Sequence, residues 1–280
     1  MKRVRVAFSG SGFRLGAHLG ALQAIVDAGY AVAEVAGTSG GSIVAALYAS
    51  GMPLADMREL CMTMDWSPMM RFTPWALLTR RALCAGDTLE KFLLRATGGR
   101  TFGELDFDLK IIAADLLTER EFVFSRDTTP DAQIGTAARA SASIPFVFPP
   151  VDNSGALLVD GGTCNNVPVS HLTVDDVPRI GVYLVSDDAP LPAGRKYRLP
   201  TIASRVIDLM LAANEATHVD LAQQGGATIV RVPTGYASSF GRNMARAVRQ
   251  RLYDDGYATT SVAAALLDSP ARVIGACAIA

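Results

Sequence analysis

The spacing of apolar positions changes twice within the first fifty residues, and each spacing predicts a different element. Residues 3–8 alternate with the two-residue period of a strand, and 32–36 form a second short apolar run. Between them, apolar side chains recur at helical spacing, and Gly29 is placed where a helix would end. The order strand, loop, helix, strand, turn, helix predicts a parallel sheet with covering helices.

The rest of the chain continues this alternation without a repeat, a low-complexity tract or a linker. We therefore predict an α/β fold and a single domain over residues 1–280. The further strands are predicted at 109–113, 121–124, 157–159, 179–185 and 227–232, and the further helices at 57–64, 88–97, 131–142, 201–222, 242–253 and 258–268.

Composition narrows the class of protein. Half of the 280 residues are hydrophobic and the formal net charge is -1, which argues against a nucleic-acid partner. The four cysteines are scattered and predict neither a metal site nor a disulfide framework. The apolar run in the basic N-terminal stretch is too short for a signal peptide. No run approaches the roughly 18–20 apolar residues of a membrane-spanning helix. We expect a soluble, cytoplasmic protein.

The segment Gly37-Thr38-Ser39-Gly40-Gly41 lies between an apolar strand and an apolar helix. A serine on a strained strand-to-helix turn, with glycines two residues to either side, is the pattern of a nucleophile elbow. The alternative is an ordinary glycine-rich helix entry. Because the required strand and helix flank the motif, we predict that Ser39 is a nucleophile at the N-terminus of its helix.

A serine nucleophile needs a base, and the sequence offers two kinds. The histidines at 18, 171 and 218 lie in settings that favour structural roles, although the order serine, aspartate, histidine would suit a triad. Asp160 follows a short apolar strand and precedes two glycines, where a carboxylate can approach another loop. Burial would raise its basicity, whereas the alternative is a turn capped by its own side chain.

The loop Gly10-Ser11-Gly12, followed by Arg14, is a candidate anion-binding nest. Its small residues let successive backbone N–H groups point at one place, and Arg14 adds positive charge. Such a nest stabilises the oxyanion of acyl transfer. The alternative is a phosphate-binding loop, although the lysine of a P-loop and the third glycine of a dinucleotide fingerprint are missing.

Five segments occur in order along the first two-thirds of the chain, and together they resemble one family. They are Gly10-Ser11-Gly12-Phe13-Arg14 with His18-Leu19-Gly20, Gly37-Thr38-Ser39-Gly40-Gly41-Ser42, Thr101-Phe102 with Ile112-Ala113-Ala114-Asp115-Leu116, Ala140-Ser141-Ala142-Ser143-Ile144-Pro145 with Phe148-Pro149-Pro150, and Asp160-Gly161-Gly162-Thr163-Cys164-Asn165-Asn166-Val167-Pro168. The chain resembles the patatin-like phospholipases, lipid acyl hydrolases with a Ser–Asp dyad. Beyond about residue 235 no resemblance is evident.

The resemblance implies a three-layer α/β/α fold and a site. Ser39 would be the nucleophile and Asp160 its base, with an acyl-enzyme intermediate and no metal or other cofactor. Gly10, Ser11 and Gly12, with the N–H of Gly40, would form the oxyanion hole, supported by Arg14. Three positions depart from the family pattern, namely Ser11 in place of the middle glycine, Leu15 in place of a glycine, and Thr163 in place of an apolar residue.

The implied substrate is a phospholipid or another acyl ester. Residues 64–83 hold both tryptophans amid arginines, so they are a candidate for peripheral membrane contact, although simple packing on the sheet is the alternative. Two further interpretations of the function stay open. One is a soluble carboxylesterase or thioesterase with the same site, and the other is a catalytically silent module that binds a phosphate or nucleotide at Gly10–Arg14.

Overall fold

The computed structural model describes residues 2–72, 79, 82–185, 191–213 and 215–267, and its centre is an eight-stranded sheet. The strand order is β5-β6-β3-β2-β1-β7-β8, with β4 paired to β3 outside this path. Neighbouring strands along the path from β3 to β8 are parallel, and the pairs involving β4, β5 and β6 are antiparallel. The predicted mostly parallel sheet is confirmed. The strands are β1 (Lys2–Phe8), β2 (Tyr30–Thr38), β3 (Asp108–Asp115), β4 (Arg120–Phe124), β5 (Val151–Asn153), β6 (Ala156–Asp160), β7 (Arg179–Val185) and β8 (Thr228–Pro233).

Helices cover both faces of this sheet. Val6 and Phe8 of β1 belong to one apolar cluster, which also contains side chains of the first two helices. Ala7, between them, points to a second cluster with Val219 and Ala222. A strand buried on both sides confirms the three-layer arrangement. The helices are α1 (Leu15–Asp27), α2 (Gly40–Ala49), α3 (Leu54–Thr63), α4 (Asp87–Ala96), α5 (Ile134–Ser141), α6 (Leu199–Ala212), α7 (Glu215–Gln224) and α8 (Arg246–Leu267).

Two helix predictions near the end of the chain are wrong. The single helix predicted over 201–222 is two helices, α6 and α7. The two helices predicted at 242–253 and 258–268 are one, because α8 runs through Gly256 without a break. Gly256 packs directly on α1, where a Cβ would lie 2.0 Å from the carbonyl oxygen of Ala17. Close packing of the two helices therefore explains this glycine, rather than a helix end.

Residues 64–83 divide between core and surface. Trp66 and Met69 are buried, and the Trp66 ring lies 5.6 Å from that of Phe13. Packing is therefore confirmed for these two side chains, while Phe72 is exposed. Trp75 lies outside the described residues, as do the rest of 73–78 and residues 80–81. Within the described ranges, no helix has the length and apolar character that crossing a bilayer requires.

Candidate active site

Ser39 occupies the turn between β2 and α2, in the frame that the motif predicts. Its φ of 52° lies in the left-handed region, which few residues other than glycine adopt. Both flanking glycines are required by contact. A Cβ on Gly37 would lie 2.7 Å from the backbone nitrogen of Ser42, and one on Gly41 would lie 2.4 Å from the carbonyl oxygen of Phe8. The turn can therefore form only with glycine at these two positions.

Two other serines hold this turn in place. Ser141 Oγ accepts the backbone N–H of Ser39 at 2.8 Å and donates to the carbonyl oxygen of Ile112 at 2.6 Å. Ser42 Oγ donates to the carbonyl oxygen of Ser39, also at 2.6 Å. Hydrogen bonds on both sides of the residue sustain its unusual backbone conformation. Neither serine has a role predicted from the sequence, and their only signal is their presence in the segments that carry the resemblance.

Asp160 lies at the end of β6, directly beside the serine. The Ser39 hydroxyl donates to Asp160 Oδ2 at 2.6 Å, and the N–H of Gly162 donates to Oδ1 at 2.8 Å. The carboxyl group is inaccessible to solvent, and this burial raises the pKa of Asp160 to about 6, against the smaller opposing effect of its two hydrogen bonds. At neutral pH the group is mostly ionised, yet it is a far better base than an exposed aspartate.

The three histidines lie away from this pair. The buried His18 ring contacts the carbonyl oxygen of Ser9 through Nε2 at 2.8 Å, and burial lowers the pKa of His18 to about 3. His171 Nε2 lies 2.5 Å from Glu121 Oε2, and His218 belongs to α7. No histidine is among the described residues that line the cleft around Ser39. These contacts agree with the structural roles predicted for the histidines.

The glycine loop is folded against the helix that Ser39 opens. A Cβ on Gly40 would lie 2.4 Å from the carbonyl oxygen of Gly12, so the two segments touch. In the described part of the chain, the backbone N–H groups of Ser11, Gly12 and Gly40 have no hydrogen-bond partner. The N–H of Gly10 donates to the carbonyl oxygen of Asn166 at 3.0 Å. Three of the four amides predicted for the oxyanion hole are thus left unpaired.

The chain that forms this site matches a known protein family over more than half of its length. A family model described as patatin-like phospholipase matches residues 6–173. The chain belongs to this family. It is also similar to the uncharacterized protein YqhO of Bacillus subtilis, with 32% identity over 76% of this chain and 81% of that protein. The uncharacterized NTE family protein Rv2565 of Mycobacterium tuberculosis is 32% identical over 61% of this chain and 28% of its own length.

Two solved structures show the same patatin-like fold. VipD from Legionella pneumophila has a TM-score of 0.62 and 16% identity, over 94% of this chain and 67% of that chain. The type III effector protein ExoU has a TM-score of 0.55 and 14% identity, over 95% of this chain and 53% of that chain. The α/β fold with helices on both faces of the sheet is therefore that of patatin-fold proteins.

Residues of the segment after 173, which the family model does not match, contact the glycine loop and hold it in place. The N–H of Phe13 donates to the carbonyl oxygen of Ser239 at 2.9 Å. Arg14 is buried, donating through Nη1 to Thr234 Oγ1 at 2.8 Å and through Nε to the carbonyl oxygen of Ser11 at 3.1 Å. The C=O and N–H groups of a trans peptide point in opposite directions. Because Arg14 binds the Ser11 carbonyl, the Gly12 N–H of the same peptide points away from Arg14.

The departure at Ser11 is accommodated by the loop. The left-handed φ of 54° belongs to Gly12, whereas Ser11 has an ordinary negative φ. A Cβ on Gly12 would lie 2.2 Å from the carbonyl oxygen of Ser239, so this position also has no room for a side chain. The glycine that the patatin-like loop needs for its conformation is therefore present.

Ser39 opens onto a cleft of about 610 Å³, within the usual size range for small-ligand sites. One wall is the glycine loop, and the other comes from α6, α7 and the loop around Phe240. Apolar lining residues include Ile144, Leu191 and Leu209. Among the described residues, no group of three or more His, Cys, Asp or Glu side chains is placed to hold a metal ion.

Proposed function

We propose that this patatin-like protein is a lipid acyl hydrolase that cleaves acyl ester bonds through Ser39 and Asp160. The observation that carries the proposal is the 2.6 Å hydrogen bond from the Ser39 hydroxyl to the buried Asp160 carboxylate. Its setting agrees with that role, since the serine lies on a strained turn at a helix N-terminus.

The reaction proceeds in two steps, acylation of Ser39 and hydrolysis of the acyl-enzyme. Asp160 accepts the hydroxyl proton as Ser39 Oγ attacks the ester carbonyl, and the unpaired amides of Ser11, Gly12 and Gly40 stabilise the oxyanion. The intermediate collapses, and the departing alcohol takes the proton from Asp160. Water then gives a proton to Asp160 and attacks the acyl group, and Ser39 regains its proton as the free acid leaves.

The cleft walls support a lipid substrate over a small polar ester. Leu191 and Leu209 are both exposed and both line the cleft, so an acyl chain would find apolar contacts at the cleft surface. The carboxylesterase or thioesterase alternative uses the same dyad on soluble acyl groups. It predicts turnover of short esters without turnover of phospholipid in vesicles.

A fluorophosphonate probe tests the proposal, because labelling requires an activated serine. We expect the wild type to be labelled and to hydrolyse both a soluble ester and vesicle phospholipid, and Ser39→Ala to do none of these. Ser154→Ala is the matched control, since Ser154 is a second serine with a left-handed φ, 51°, but is exposed on a turn. Labelling that survives in Ser39→Ala would contradict the proposal, as would a wild type that resists the probe.

A further inference from the structure

The outer face of α6 carries an unusual set of exposed side chains beside the cleft. Ile202, Val206 and Leu209 are spaced four and three residues apart, so they form one stripe along the helix. Their exposed fractions are 47%, 46% and 70%. Leu209 also lines the cleft with Ser39, which makes the stripe continuous with the mouth of the candidate active site.

The segment that leads into this helix is basic. Residues 191–198 contain three Lys or Arg side chains and no Asp or Glu, and residues 199–209 add Arg205 and Asp208, although the whole chain has a formal net charge of -1. Arg195, Lys196 and Arg198 are exposed, and none forms an ion pair with another described residue. A concentration of positive charge therefore borders the apolar stripe.

We propose that residues 191–209 form a docking surface for an anionic lipid surface, with the cleft mouth turned toward the lipid. Basic side chains attract anionic head groups, and aliphatic side chains on the same element enter the boundary between head groups and acyl chains. This inference rests on the proposed function, because continuity with the cleft would make a docked chain face its lipid substrate. The surface differs from the contact predicted at 64–83, where Trp66 and Met69 are core residues.

The charge part of the surface is tested by vesicle sedimentation. The probes are vesicles of phosphatidylcholine alone and of phosphatidylcholine with about a third phosphatidylglycerol. We expect the wild type to bind the anionic vesicles more tightly, and the triple variant Arg195→Gln, Lys196→Gln, Arg198→Gln to lose about fivefold in affinity per residue. The matched control neutralises three exposed basic residues elsewhere, Lys91→Gln, Arg95→Gln and Arg126→Gln, and should bind almost as the wild type does.

The apolar part is tested with Ile202→Ser combined with Val206→Ser, neither of which lines the cleft. We expect about tenfold weaker binding to both kinds of vesicle. The matched control, Leu221→Ser with Val262→Ser, changes side chains that are 59% and 66% exposed on other helices and should bind normally. Turnover of a soluble ester should be unchanged in all four variants.

Three results would overturn the inference. The first is equal binding of the wild type and the basic triple variant, and the second is an equal loss of binding in the control variants. The third is a lower mass of the protein in lipid-free solution when residues of the docking surface are substituted, which would make the surface a contact between copies. Binding needs no turnover, so Ser39→Ala should sediment as the wild type does. Patch-dependent binding without any ester hydrolysis would therefore refute the proposed function alone.

Discussion

The two parts of this chain contribute to the candidate site in different ways. The segment matched by the family model, residues 6–173, holds Ser39, Asp160 and the glycine loop. The segment from 174 to 267 contains none of these, yet it contacts the loop through Thr234 and Ser239 and provides one wall of the cleft. The proposed reacting groups thus all lie in the first segment, whereas part of their support comes from the second.

This separation has a physical reason. An acyl transfer needs a few side chains at fixed distances, which short local motifs can encode. Support for a loop and contact with an acyl chain require only suitable shape and an occasional hydrogen bond, which many sequences provide. We therefore expect substitutions in the first part to remove the chemistry and substitutions in the second to reduce it or redirect it.

The largest effect is expected for Asp160→Asn. Without the base, ester turnover should fall by about a thousandfold or more, as measured by kcat on a soluble ester. The amide can still accept from Gly162 and donate to Ser39, so the fold should persist. An active Asp160→Asn variant, together with an inactive histidine variant, would replace the dyad with a triad.

The same variant should be more stable than the wild type at neutral pH. The pKa of Asp160 is about 6 in the folded chain, against an ordinary value of 3.8 that applies to the unfolded chain, so ionisation of the buried group costs about 3 kcal/mol above pH 6. The neutral amide of the variant bears no such cost. The gain in free energy of unfolding, measured by denaturant titration, should be full at pH 7.5, mostly lost by pH 4 and absent near pH 3, where Asp160 is protonated in both the folded and the unfolded chain. A gain that does not change with pH would contradict this cause.

A smaller effect is expected for Thr234→Val, which tests whether the second part reaches into the chemistry. The change keeps the shape of a buried side chain but removes the hydroxyl that accepts from Arg14. With the Ser11 carbonyl held less firmly, kcat should fall by about tenfold with little change in KM, less than the loss of a whole oxyanion donor. Thr234→Ser keeps the hydroxyl and should restore the rate. Equal rates in all three proteins would refute the support role.

The smallest effect is the loss of activity on going from pH 7.5 to pH 6, about twofold, which belongs to the first part alone. Because the proposed base is the Asp160 carboxylate, kcat/KM should be half its maximum near pH 6 and fall by about tenfold per pH unit below that. Thr234→Val should lower the plateau of this profile and leave its midpoint in place. A midpoint that moves with Thr234→Val would mean that the two parts are not separable in this way.

Local sequence was sufficient for the frame around Ser39, because strand periodicity, two glycines and helix periodicity all agree there. It was not sufficient to place Asp160, 121 residues away, against the serine. The apolar strand before Asp160 and the two glycines after it suggested a base. The pairing of Asp160 with Ser39 came from the family resemblance. The support from Ser239 left no signal, since a carbonyl oxygen accepts a hydrogen bond whatever its side chain. The support from Thr234 left none either, since it is a single threonine hydroxyl outside any recognisable motif. The gap left between the helices predicted at 242–253 and 258–268 contains Gly256, whose close packing on Ala17 of α1 no local pattern reveals.

The close contact between α1 and α8 has a practical consequence for truncation. Gly20 and Gly256 let the two helices approach so nearly that each backbone lies against the other, and α1 carries the glycine loop at its N-terminal end. An expression fragment cut at residue 173 would keep every reacting side chain but expose the face of α1 that α8 covers. A minimal fragment for crystallisation or activity assays should therefore extend through Leu267, the last residue of α8.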